Sequence, residues 1–91
     1  MAIIRKITVT GRVQGVWFRA FTREAACRHR ISGWVKNMPD GSVQCLARGS
    51  EKDMQDFLQE LHTGPKRSRV DSVTVEPYTG EENFTTFSIH Y

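Results

Sequence analysis

The sequence predicts an α+β domain in which two helices pack on one face of an antiparallel sheet. Three observations carry that prediction. Apolar residues alternate with period two in several short runs, two stretches keep a helical spacing, and runs and stretches interleave along the chain. At 91 residues the whole length, 1–91, suits a single domain with one core.

Ile3, Ile7 and Val9 share odd positions while Lys6, Thr8 and Thr10 take even ones, the pattern of a half-buried first strand. Gly11 to Val16 breaks that pattern with two glycines, Gly11 and Gly15. From about Phe18 to Arg30 the chain is rich in Ala, Arg and Glu without Gly or Pro, and Phe18, Phe21 and Ala25 follow a helical repeat. A short strand is expected from Gly33 to Asn37. Met38-Pro39-Asp40-Gly41 then makes a tight turn, because Pro presets φ, Asp bonds nearby backbone and Gly accepts positive φ. Val43, Cys45 and Ala47 alternate after it, so the turn joins two antiparallel strands. Ser50 caps a second helix with Glu51 and Asp53 in its first turn, facing the positive end of the helix dipole. Met54, Phe57, Leu58 and Leu61 mark its buried stripe, and Gly64-Pro65 stops it. Val73 and Val75 belong to a fourth strand ending near Pro77. Thr79 to Asn83 is a polar loop, and Phe87, Ile89 and Tyr91 alternate in a final strand.

The order β-α-β-β-α-β with an extra C-terminal strand is that of a ferredoxin-like split βαβ sandwich. That architecture hosts many functions, so function must be argued from a site.

The net charge is +3, unevenly divided. Residues 1–50 hold nine Lys/Arg against Glu24 and Asp40, whereas residues 51–91 hold four against eight acids. A positive face built from the first half would suit an anionic ligand, whether a small phosphate compound or a nucleic acid. Cys27 and Cys45 are too few for a disulfide framework and match no zinc spacing, so both are expected to be small apolar residues in a reducing compartment. Met1 to Lys6 lacks the apolar length of a signal peptide, and no run approaches a membrane span. The cytosol is the expected location.

Gly11-Arg12-Val13-Gln14-Gly15-Val16-Trp17-Phe18-Arg19 joins the first strand to the first helix. Amides at such a junction can converge on one concavity, aided by the helix dipole. Gly15 lets the backbone curl, and Arg19 offers a planar fork to two phosphate oxygens. On these grounds alone the segment is either a phosphate cradle or an ordinary glycine turn followed by a surface arginine. It is neither a nucleoside triphosphate loop nor a dinucleotide fingerprint, since Gly-Lys-Ser/Thr and G-x-G-x-x-G are both missing. A cysteine phosphatase loop is excluded too, because Gly33 stands where its arginine would follow Cys27.

Gly11–Arg19 resembles the acylphosphatase signature G-x-V-Q-G-V-x-F-R at every fixed position. Gly33–Val43 is similar to that family's second motif, G-x-V-x-N-x-x-D-G-x-V. Gly64-Pro65, Ser68 and Val70 fit a weaker third element, and Phe87, Ile89 and Tyr91 fit the family's end. Departures are minor: Gln44 stands where many members carry Glu, and Cys45-Leu46 replaces a small pair.

The resemblance implies a hydrolase that cleaves the carboxyl–phosphate bond of small-molecule acyl phosphates without a metal or other cofactor, with inorganic phosphate as product and inhibitor. It implies catalytic roles for Arg19 and Asn37. Arg19 and the backbone amides of Gln14, Gly15, Val16, Trp17, Phe18 and Arg19 would hold the phosphoryl group, and the Asn37 side chain would position the attacking water. The residues agree with this division. A carboxylate leaving group, with a conjugate-acid pKa of about 4, needs no general acid. An amide holds water in line without placing negative charge beside phosphate. Val35 and Asn37 share one face of their strand, with Trp34 and Lys36 on the other.

Trp17 and Trp34 are expected to pack, with a share in an acyl pocket as the alternative. His29, His62 and His90 lack ligand spacing and are expected to be solvated or packed. Lys66, Arg67 and Arg69 are expected to form a solvated loop. An RNA-binding module on the same fold would want stacking aromatics on the first and third strands, and Ile3–Val9 and Ser42–Arg48 have none. No nucleic acid or membrane partner is therefore expected, and a monomer is the default.

Overall fold

The alternating and helical patterns fold into seven elements in a computed structural model that describes residues 2–80 and 84–91. They are β1 (Ala2–Arg12), α1 (Phe18–Arg28), β2 (Ser32–Asn37), β3 (Val43–Ser50), α2 (Glu51–Thr63), β4 (Arg69–Pro77) and β5 (Phe87–His90). Of the polar loop expected at 79–83, residues 81–83 lie outside those described, as does Met1.

The sheet order is β4-β1-β3-β2-β5. β1 pairs antiparallel with β3 and β4, and β2 antiparallel with β3, so the first four strands form the expected antiparallel sheet. The extra strand adds in the other sense. β5 runs parallel to β2, with Gly33 opposite Phe87 and Val35 opposite Ile89, which makes the five-stranded sheet mixed. Both ends of β2 and β5 therefore point the same way, and their C-termini come side by side.

α1 lies over β2 and β5, α2 over β3 and β4, and the two helices touch. The core between helices and sheet contains Ile7, Val9, Val35, Val43, Cys45 and Ala47 from the strands and Phe18, Ala25, Met54, Phe57 and Leu61 from the helices. Phe87 joins it with its ring 6.2 Å from that of Phe57, edge to face. Burial pushes the Cys45 thiol pKa up, so it acts as an apolar filler. Cys27 departs from expectation: it lies on the solvent face of α1. Thr22 and Ala26 take buried places on that helix beside Phe18 and Ala25. The Thr22 hydroxyl is satisfied by donating to the Phe18 carbonyl at 2.8 Å.

Helix boundaries follow local chemistry. In α2 the Ser50 hydroxyl accepts from the Asp53 amide at 3.1 Å, as expected for a cap. α1 stops at Arg28, two residues before its predicted end. Arg30 adopts a left-handed φ of 57°, and the Ile31 amide donates back to the Ala26 carbonyl at 2.8 Å. This is a Schellman-type closure, made without the glycine that would have advertised it. β1 in turn runs past its predicted end through Gly11 and Arg12. A register shift against β4 between Thr10 and Gly11 accommodates the extension. A Cβ at Gly11 would stand 2.1 Å from the Arg69 carbonyl, so only glycine permits that approach.

Candidate active site

Beyond β1 the chain curls before α1 can begin. Gly15 has φ 73° and Trp17 φ 64°, with Val16 between them. Alternation of left-handed and ordinary residues turns successive amides toward one concavity. A Cβ added at Gly15 would meet no protein atom, so glycine serves the positive φ here while leaving the concavity open. Trp17 is the N-cap residue of α1, its side chain makes no capping hydrogen bond, and the first turn holds no acid. The contrast with α2, capped by Ser50 and carrying Glu51 and Asp53, is direct. The amides at the start of α1 are thus left unclaimed by capping side chains, in a positive end of the helix dipole.

A cleft of about 390 Å³ opens at this point. Val13, Gly15, Trp17, Phe18, Arg19 and Ala20 line it from the loop and α1, Asn37 from the end of β2, Ile89 from β5 and Tyr91 from just beyond it. Arg19 donates through Nη1 to the His90 carbonyl at 3.0 Å, and its guanidinium carbon lies 4.5 Å from the centre of the Tyr91 ring. The His90 carbonyl and the Tyr91 ring therefore hold the fork in place, and among the described residues no other acceptor claims its remaining N–H groups. Across the cleft, the Asn37 side-chain oxygen is buried and has no hydrogen-bond partner among the described residues. A buried, unpaired amide oxygen is expensive, and it is well suited to accept from a water.

Gln14 ties the two halves of this site together. Its side-chain amide donates to the Met38 carbonyl at 2.8 Å and to the Ser42 carbonyl at 2.9 Å. It thus pins the loop to the turn that follows Asn37. That turn closes as its residue types predict, with the Gly41 amide on the Met38 carbonyl at 3.1 Å. The Asp40 carboxylate accepts from the Ser42 hydroxyl at 2.6 Å and from the Ser42 amide at 2.9 Å. Those bonds, the hydroxyl first, hold the Asp40 pKa below the usual carboxylate range.

Of the residues singled out from sequence, Gly15, Trp17, Phe18, Arg19 and Asn37 line one cleft. Gln14 and Val16 do not: the Gln14 side chain turns to the β2–β3 turn, and Val16 is buried in the core. Val13, Ala20, Ile89 and Tyr91 also line the cleft and were not assigned to it from sequence. For Ile89 and Tyr91 the only signal was alternation, which names a strand but not its neighbour. Trp17 corrects an expectation, since it is 82% exposed at the edge of the cleft rather than packed. Trp34 does pack, on the far face of the sheet, stacked 5.3 Å from the His90 ring with Lys36 above it. Arg28 forms an ion pair with Glu60, the His29 ring contacts the same carboxylate, and His62 is exposed. Lys66 and Arg67 are solvated, and Arg69 pairs with Asp71 at the start of β4. Among the described residues no group of His, Cys, Asp and Glu gathers that could hold a metal ion, and no helix is long and apolar enough to cross a membrane.

Comparison with known proteins agrees with the motifs. The acylphosphatase family model matches residues 5–89. An acylphosphatase of Geobacter metallireducens is 44% identical over 91 residues, covering 100% of this chain and 98% of its own. One from Koribacter versatilis is 47% identical over 85 residues, covering 93% of this chain and 77% of its own. The crystal structure of acylphosphatase from Bacillus subtilis superposes with a TM-score of 0.94 at 40% identity, covering 100% of both chains. With Gly15, Phe18, Arg19 and Asn37 of the two motifs on one cleft and relatives matching from end to end, the chain belongs to the acylphosphatase family of hydrolases.

Proposed function

We propose that this protein hydrolyses the carboxyl–phosphate bond of small-molecule acyl phosphates without a metal ion, using Arg19 and Asn37. The observation that carries the proposal is their convergence. A tethered guanidinium and a buried, unpaired amide oxygen, from separate elements, border one cleft beside an uncapped helix start. Arg19 and the amides from Gln14 to Arg19 bind the phosphoryl oxygens and neutralise charge as it shifts in the transition state. The Asn37 oxygen accepts a hydrogen bond from a water and aims its lone pair at phosphorus, opposite the acyl oxygen. A P–O bond forms to the water, and the bond to the acyl oxygen breaks. Its electron pair departs on a carboxylate, and the water's proton is released with the phosphate product. Among the described residues no carboxylate, imidazole, thiol or ammonium side chain lines the cleft. The good leaving group makes a general acid unnecessary.

The proposal extends to a cytosolic monomer with no nucleic acid or membrane partner, for which inorganic phosphate is both product and inhibitor. Two free cysteines and few exposed large apolar side chains among the described residues support that part.

The test is hydrolysis of benzoyl phosphate by purified protein in the presence of a chelator, beside Arg19→Ala and Asn37→Ala. The wild type should retain its activity. Arg19→Ala should lose at least ~10²–10³ in turnover, by analogy with deletion of one oxyanion donor. Arg19→Lys should recover little, because a point charge lacks the fork. Near-normal turnover in folded Arg19→Ala would overturn the assignment.

A further inference from the structure

Trp17 occupies a position that local chemistry argues against twice. Its φ of 64° is left-handed, where a bulky residue is strained and Gly or Asn would be favoured. It is also an N-cap, where Ser, Thr, Asp or Asn would satisfy an amide and Trp does not. Nor does burial repay the choice, for the indole is 82% exposed. A residue that breaks local rules without a compensating contact points to a role with a partner outside the chain.

Its surroundings name the partner's chemistry. Among the described residues only Trp17, Val75 and Tyr91 are large apolar side chains left exposed, and Trp17 and Tyr91 both border the cleft. Ile89, Val13 and Ala20 continue an apolar lining around Arg19. The cleft's volume of about 390 Å³ exceeds what a lone tetrahedral anion needs and falls in the range, about 300–1,000 Å³, of small-molecule sites. With the phosphoryl group held by Arg19, the acyl group is the part of the substrate left to meet these surfaces.

Building on the acylphosphatase reading above, we infer that Trp17 is a specificity-determining residue that selects acyl phosphates with a planar aromatic acyl group by stacking on it at the mouth of the cleft. Small aliphatic acyl groups gain little there, because an indole face rewards contact area and ring stacking.

The test compares kcat/KM for benzoyl phosphate with that for acetyl phosphate in wild type, Trp17→Asn and Trp17→Phe. Asn tolerates the left-handed backbone, so the loop is kept while the ring is removed. Each substrate carries the same phosphoryl group, so damage to the cradle falls on both and cancels in the ratio. The benzoyl-to-acetyl ratio should fall about three- to tenfold in Trp17→Asn and stay within about twofold of wild type in Trp17→Phe. Inhibition by phenylphosphonate relative to methylphosphonate should fall in parallel, which places the effect in binding. Both substrates hydrolysed with an unchanged ratio in Trp17→Asn would overturn this inference and leave the acylphosphatase reading intact. Hydrolysis of neither by folded wild type would overturn both.

Discussion

At Asn37 the proposed chemistry would be set against stability. Its buried oxygen lacks a partner among the described residues, and an unmet buried acceptor costs about 1–3 kcal/mol. Asn37→Ala is therefore expected to leave the urea midpoint unchanged or raised while turnover falls, and phosphate should still compete for the cradle. A variant that loses stability and activity together would make Asn37 a structural residue. That Arg19 and Asn37 share one cleft was legible only through the two family motifs that contain them, since the residues alone left an ordinary glycine turn and a surface arginine open. Trp17 was not. Its neighbours suggested packing, and only the backbone shows that its left-handed φ swings the indole to solvent. Gln14 was legible as part of the loop but not in its side-chain role, since nothing local marks Met38 and Ser42 as its acceptors.

At the scale of elements, the site depends on how loop and turn are joined. Gln14→Ala removes two hydrogen bonds, although the Met38 carbonyl keeps the Gly41 amide and the Ser42 carbonyl keeps the Met38 amide. A loss of about 1–2 kcal/mol follows. Because Asn37 directly precedes Met38, kcat should fall more than the affinity for phosphate, as urea titration and product inhibition would show together. A loss of stability with kcat intact would confine Gln14 to a structural role. The helices have their own link, in which Glu60 of α2 accepts from Arg28 of α1 and contacts His29 just beyond it. The hydrogen bond from Arg28 is the main cause that holds the Glu60 pKa below the usual range, and the Ser42 hydroxyl does the same for Asp40. A folded pKa below the unfolded one means that the unfolded chain binds protons first as pH falls. Stability from these two groups is thus fully present above their unfolded values, about 4.3 and 3.9, and drains away below them. Urea midpoints taken from pH 7 down to pH 3 should drop in the acid arm, less steeply in Glu60→Gln; equal slopes would remove Glu60 from the account. Most elements were readable because their signals are local: a Ser cap, a Pro-Asp-Gly turn, a Gly-Pro stop. α1 ends early for a reason that sequence conceals, the left-handed Arg30 doing what glycine usually does.

Across the whole molecule, the cleft is assembled from three distant parts of the chain, and the last of them was the least legible. Alternation in Phe87–Tyr91 predicts a strand. It does not say that β5 lies parallel to β2, since pairing between distant segments is decided by the closed core. Here Phe87 anchors β5 against Phe57, and the strand then delivers the His90 carbonyl and Tyr91 ring to Arg19. Fold and site are consequently linked, because the cleft exists only when the loop, the end of β2 and the β5 end of the chain are all in place. A ligand that binds only the assembled cradle must stabilise the fold, by RT ln(1 + [L]/Kd), or about 2.7 kcal/mol at a hundredfold excess over Kd. For a domain of this size that corresponds to a rise in Tm on the order of 10 °C. Inorganic phosphate is expected to produce such a rise in the wild type and in Asn37→Ala, which keeps the cradle, but little in Arg19→Ala, which loses the fork. Thermal scans at increasing phosphate, against chloride at equal ionic strength, separate specific binding from screening of the basic N-terminal half. An equal shift in all three proteins would place phosphate on the general surface and remove the cradle as its site.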